Sequence, residues 1–187
     1  MHGTPINTVQ VFRETSPASL PASPTPALSD AESVVEYLVH HDVVTPDSLA
    51  ASHVRTIFAA PPDTLRVDWI ARHTYWSRRT LGRQFKTAGL PAPVDWVALA
   101  RAVRAHRSIA RGALMCDAAA SAGYGDQFTM SNAIHRITGL RPSQLRNVHW
   151  TELLNVWIAR QRERGTLTGP PAPEVPTCPL CGSLRAC

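Results

Sequence analysis

Apolar residues recur along this chain at intervals of three and four, the spacing that gathers side chains on one face of an α-helix. Val34, Val35, Leu38 and Val39 form the first such stripe, behind Ser29 and Glu32 at capping-box spacing. Thr45 and Pro46 mark a second start, with Leu49, Val54, Ile57 and Phe58 as its apolar face, and Pro61-Pro62 stops it. Asp63 is placed to cap a third helix, with Val67, Ile70 and Ala71 inward. Ser77 caps a fourth, in which Leu81 and Phe85 share one face, and Gly89 with Pro91 ends it. A longer helix spans 93–111, up to Gly112, and an Ala-rich helix over 114–122 stops at Gly123. Asp126 caps the next, with Met130, Ile134 and Ile137 inward and Gly139 at its end. Pro142 begins a short helix, and 150–164 forms a final amphipathic one. No strand-like alternation persists, so the pattern predicts an all-α fold with short connections.

The ends have a different composition. Residues 16–29, SPASLPASPTPALS, hold four prolines among Ser and Ala, and 165–179 hold five prolines with Gly165 and Gly169. Both read as flexible tethers. The expected organisation is a flexible segment over 1–29, a helical extension over 30–62, a main domain over 63–147, a C-terminal helix over 148–164 and a Pro-rich tail over 165–187.

Charge sharpens this picture. The net charge is +5, but residues 64–146 hold thirteen Arg or Lys against four acids, Asp68, Asp95, Asp117 and Asp126. The rest of the chain holds six basic and ten acidic residues. Positive charge focused in one block is the electrostatic footprint expected of a polyanion partner. No apolar run approaches the roughly 18 residues that span a bilayer. The N-terminus MHGTPINTVQVFRE has no signal-peptide layout, so a cytoplasmic protein with no membrane partner is expected. No Ser-His-Asp set, phosphate-cradling loop, paired-carboxylate motif or HExxH is present, and an enzymatic role has no positive support.

Two stretches inside the basic block share one grammar: IARHTYWSRRTLGRQFK and AAASAGYGDQFTMSNAIHR. In each, a small residue (Ala71, Ala119) precedes a polar cap (Ser77, Asp126) by six or seven positions, and an amphipathic helix follows. That is the layout of a helix-turn-helix, whose second helix lies in a DNA major groove about 12 Å wide. In the first unit Arg79, Gly82 and Arg83 fall opposite Leu81 and Phe85. The two arginines suit bidentate contact with guanine, and Arg78 and Lys86 flank them toward the phosphates. In the second unit Gln127, Phe128, Ser131 and Asn132 project away from Met130 and Ile134. Gln and Asn can pair with adenine. Phe128 either touches a thymine methyl or packs on the neighbouring helix. His135 and Arg136 suit backbone contacts, whereas Arg141 and Arg146 fit either a structural or a phosphate-facing role.

The span from Leu65 to Arg146 resembles the DNA-binding domain of AraC/XylS-type transcription regulators. The resemblance is carried by the first stretch above, by Arg101, and most specifically by DAAASAGYGDQFTMSNAIHRITGLRPSQLR. There Ala119, Gly123-Tyr124, Asp126, Gly139, Pro142 and Arg146 follow the family's C-terminal signature. It implies two helix-turn-helix units, about 64–88 and 114–138, joined by a linker helix at about 93–111. Their recognition helices would enter successive major grooves. A nineteen-residue helix is about 28 Å long, compatible with grooves about 34 Å apart. Three departures stand out. Tyr75 occupies a turn position where the family usually has Gly, which implies a distorted or differently tightened turn. Met130 and Ile134 stand where Phe is usual, and Gly89 comes about one residue early. Family members often carry a cupin-like ligand-binding domain on the N-terminal side. Here about 60 residues precede the motif and read as a tether plus two helices, so a regulator without that domain is expected.

The sequence thus predicts a sequence-specific regulator bound to double-stranded promoter or operator DNA. RNA polymerase is a further expected partner, and the flanking helices offer a face for a protein partner or a second copy. Two alternatives stand beside it: a helical protein-interaction module using the 30–60 and 150–164 helices, and a metal- or redox-responsive regulator acting through Cys178, Cys181 and Cys187. Those cysteines in TCPLCGSLRAC offer three thiolates to Zn, which in structural sites takes four ligands; no other cofactor is implied. Cys116 reads as a small core residue.

Overall fold

A computed structural model describes residues 28–168, and the side chains from Ala31 onward. These residues form nine helices and no strand: α1 (Leu28–His40), α2 (Leu49–Ala59), α3 (Val67–His73), α4 (Arg78–Thr87), α5 (Pro93–Ala110), α6 (Met115–Ser121), α7 (Gln127–Thr138), α8 (Pro142–Leu145) and α9 (Trp150–Glu163). The expected flexible segment over 1–29, up to residue 27, and Cys178, Cys181 and Cys187 lie outside the described residues.

The fold is all-α, as the periodicity predicts, and its differences from the predicted elements are local. α1 begins at Leu28, one residue ahead of the expected cap Ser29. α2 starts at Leu49 rather than after Thr45-Pro46, because Ser48 is the better cap. Its hydroxyl donates to the Thr45 carbonyl at 2.7 Å and accepts the Ala51 N–H at 3.1 Å. Leu49 is left at the first helical position and stays half exposed, outside the apolar face expected to hold it. Asp63 does not cap α3. A turn closed by the Thr64 N–H on the Pro61 carbonyl delays that helix until Val67. Cys116 is exposed rather than in the core. α6 turns Met115, Ala118, Ala119 and Ala122 toward its neighbours, an i, i+3, i+4, i+7 set that leaves Cys116 outside.

α5 is the central element, packing against α2, α3, α4, α6, α7, α8 and α9. Its alanines 100, 102 and 105 are buried and let so many neighbours approach. The largest side chains form a chain of ring contacts through the core. His53 of α2 stacks on Phe85 of α4 with centroids 6.1 Å apart, Phe85 meets Trp96 of α5 at 6.3 Å, and Trp96 meets Trp157 of α9 at 4.8 Å. Burying each side chain of this size stabilises the fold by about 1.5–3 kcal/mol. The flanking helices α1, α2 and α9 therefore share one contiguous core with α3–α7.

Two devices fix the halves of the molecule to each other. Arg101 donates to the Leu65 carbonyl at 2.8 Å on one side, and its guanidinium lies 5.6 Å from the centre of the Tyr124 ring on the other. Gly123, at φ +78°, lets its backbone approach the Pro62 carbonyl; a Cβ there would sit 2.5 Å from that oxygen. α9 adds a clasp. Arg160 donates to the Arg136 carbonyl at 3.2 Å, the end of α7 where partial negative charge collects. The segment after α9, read from sequence as the start of a tether, folds back instead. Leu167 is buried, and the Thr168 N–H donates to the Gly89 carbonyl at 3.1 Å, beside the end of α4.

Two predictions follow from this packing. Gly123→Ala is expected to destabilise the protein by about 2 kcal/mol or more, because it combines a left-handed backbone with a clash; urea unfolding measures it. The second concerns the buried His53 and His106, the latter with Nε2 2.6 Å from the Val148 carbonyl. Burial holds both pKa values below the usual 6.5. The unfolded chain then takes up protons first as pH falls, so stability is fully present above about 6.5 and lost below it. The urea midpoint should fall with pH below 6.5 in the parent protein and fall less steeply in His53→Phe.

Candidate nucleic-acid interface

In the first unit, α3 and α4 cross through a tight turn. The N–H groups of Thr74, Tyr75 and Trp76 donate to the carbonyls of Ile70, Arg72 and Ala71 at 2.9, 3.1 and 2.8 Å. The turn is not distorted by the missing glycine. Tyr75 itself takes the left-handed conformation, at φ +58°, and its side chain stands almost wholly in solvent at 98% exposure. Ser77 then caps α4 by accepting the Thr80 N–H at 3.0 Å. Leu81 and Phe85 are fully buried, which fixes the rotation of α4 and turns Arg79 and Arg83 outward. A Cβ on Gly82, between them, would meet nothing within 4 Å. Lys86 is exposed in the last turn. Arg78 is already engaged, its guanidinium paired with the Asp68 carboxylate of α3. Both partners are largely exposed, so the pair contributes at most about 1 kcal/mol to stability.

In the second unit Asp126 caps α7, its Oδ1 accepting the N–H groups of Phe128 and Thr129, each at 2.8 Å. Hydrogen bonds from the Thr129 hydroxyl and backbone hold the Asp126 carboxyl below the usual carboxylate range, so the cap stays charged at neutral pH. Met130 and Ile134 are fully buried, in the positions where Phe was expected from the resemblance. Gln127, Asn132 and Arg136 are exposed, and Phe128 stands free at 72% exposure rather than packing on the neighbouring helix. Ser131 is half-buried, and its hydroxyl is spent locally, donating to the Gln127 carbonyl at 2.7 Å.

A cleft of about 680 Å³ opens between α7 and α8, lined by Ser131, Asn132, His135, Arg141 and Arg146 among others. Both arginines are exposed. Neither is therefore a buried core residue. Residue spacing could not place them, because α8 is a single turn whose direction depends on the chain folding back after Gly139. Among the described residues the ion pairs are Arg55 with Glu32 and Arg78 with Asp68. Arg79, Arg83, Arg141 and Arg146 therefore have no acidic partner at ion-pair distance among the described residues, whereas Arg136 interacts with the Asp95 carboxylate at longer range. The same residues hold no group of three His, Cys, Asp or Glu side chains able to bind a metal ion. No helix among them is long and apolar enough to cross a membrane.

Each unit thus offers an outward polar face on its second helix, and both second helices rest on α5. A buried pair in each (Leu81 with Phe85, Met130 with Ile134) decides which side chains face out. Comparison with known proteins agrees. Residues 70–147 match the family model described as a helix-turn-helix domain. No curated protein and no solved structure matches the chain. Residues 70–147 are therefore similar to a helix-turn-helix domain of the AraC type, a DNA-binding module of transcription regulators.

The ion pair on α4 generates a prediction. Asp68→Ala removes an anion from the first unit and releases Arg78, so DNA binding is expected to tighten by about 0.5–1 kcal/mol, with the salt dependence steeper by about one phosphate contact. An unchanged salt slope in fluorescence-anisotropy titrations would show that Arg78 gains no phosphate when freed.

Proposed function

We propose that this regulator reads a specific double-stranded DNA site by inserting α4 and α7 into successive major grooves on one side of the duplex. The observation that supports this reading most directly is the pairing of two outward faces, each rich in unpaired donors, on the single helix α5. Its 18 residues span about 27 Å, a spacer compatible with grooves about 34 Å apart. Arg79 and Arg83 are the base-reading residues of α4, placed for the O6 and N7 acceptors of guanine. Gln127 and Asn132 read adenine from α7, and exposed Phe128 offers an apolar surface to a thymine methyl. Arg78, Lys86 and Arg136 hold phosphates, and Ser131 supplies at most an acceptor, since its proton is committed within the helix. Phosphate contacts set the register and the salt dependence, and the base contacts set the sequence.

A selection of bound fragments from genomic DNA, followed by a salt titration on the best site, tests this reading. An enriched motif with two half-sites about one helical turn apart is the expected result. No motif together with a flat salt response removes it. Within that site, Arg83→Ala is expected to cost about 1–3 kcal/mol and to relax the preference at one position. An equal loss on every sequence would move Arg83 to the phosphate-contacting set.

A further inference from the structure

Tyr75 lies in the turn between α3 and α4, and two of its properties are costly without any return inside the molecule. A left-handed backbone strains a bulky residue in a way that Gly, or to a lesser extent Asn, would not incur. Its ring is also left in water at 98% exposure. Among the described residues it has no hydrogen-bond, ring or ionic partner, unlike the neighbouring rings: Trp69 stacks on His73 at 4.5 Å and Trp76 meets His53 at 5.4 Å. The turn closes through backbone hydrogen bonds alone, so its geometry does not call for an aromatic side chain. Strain of this kind persists where an external contact uses it.

The surroundings say which contact. Tyr75 precedes the α4 cap Ser77 by two residues, so it stands at the end of α4 that a helix-turn-helix presents to DNA. Exposed Arg72, Arg78 and Arg79 flank it in sequence, and the one acid on α3, Asp68, is already paired with Arg78. In this motif the first helix crosses the sugar-phosphate backbone while the second enters the groove. The connecting turn therefore lies along the strand at the groove edge. A phenol suits that place, with its hydroxyl donating to a phosphate oxygen and its ring against the deoxyribose.

We propose that Tyr75 is a DNA-contacting residue of the first unit, gripping the sugar-phosphate backbone at the edge of the groove that α4 enters. The inference rests on the DNA reading above. It adds a contact that the turn would lack with the glycine usual there, made without a cation.

Three variants test it on the selected DNA site: Tyr75→Asn, Tyr75→Gly and Tyr75→Phe. Asn and Gly relieve the backbone, so their unfolding midpoints should equal or exceed that of the parent. Their DNA affinity should nevertheless fall about tenfold, an effect opposite in sign to that on stability. Tyr75→Phe keeps the ring and loses the hydroxyl, and should fall about threefold. All three should keep the parent's salt slope, because no charge is removed. Parent-like affinity in Tyr75→Asn and Tyr75→Gly would overturn the proposal while Arg83→Ala still binds weakly. If the parent protein itself shows no specific site, and Arg83→Ala is indistinguishable from it, the DNA reading falls and the Tyr75 contact with it.

Discussion

The arrangement depends on one side chain near the middle of α5. Arg101 holds the Leu65 carbonyl of the first unit and the Tyr124 ring of the second at once, while Gly123 brings the second turn against the Pro62 carbonyl. A linker helix alone fixes the distance between two helix-turn-helix units but leaves their mutual rotation to packing. Contacts made from α5 to both sides restrict that rotation, and the small alanines of α5 let both units come close. Tyr124 is buried, and burial pushes its phenol pKa up to about 12. The ring therefore stays neutral and available to the guanidinium at any physiological pH.

The flanking helices belong to the same construction. Phe85, which sets the rotation of α4, lies between His53 of α2 and Trp96 of α5, and Trp96 rests on Trp157 of α9. Arg160 of α9 caps the end of α7, and the segment after α9 ties to Gly89 beyond the end of α4. α1 joins through the Tyr37 hydroxyl, which donates to Asn155 at 2.6 Å. α4 and α7 are thus both held at their C-terminal ends by one helix and its extension, leaving their N-terminal turns facing outward. The inner faces of α1, α2 and α9 are buried in this shared core.

Backbone strain concentrates on the first unit's outer surface. Tyr75 holds a left-handed conformation, Gly82 leaves open space in the centre of the outward face, and Arg78 is paired with Asp68. The second unit is more regular, with a full Asp126 cap and a basic cleft beside it. In the sequence, the first stretch departs from the family pattern in its turn at Tyr75, whereas the departures in the second, Met130 and Ile134, are buried apolar replacements.

The sequence by itself determined the helices, their all-α assembly and the two outward faces. A period of 3.6 leaves no other way to bury Leu81 with Phe85 or Met130 with Ile134. It also located the charge block and the caps at Ser77 and Asp126, because those signals act within a few residues. It misplaced the starts of α2 and α3, where several residues could cap and only the neighbouring turns chose between them. It put Cys116 in the core, although α6 is too short for its apolar face to be read without the helix it packs on. Tertiary structure alone decided that Tyr75 would bend its backbone rather than the turn, that Phe128 and Arg141 would face solvent, and that residues 165–168 would fold back onto Gly89. The return onto Gly89 joins residues far apart in the chain, and the others turn on which space the neighbouring elements leave open, so short-range patterning does not decide them.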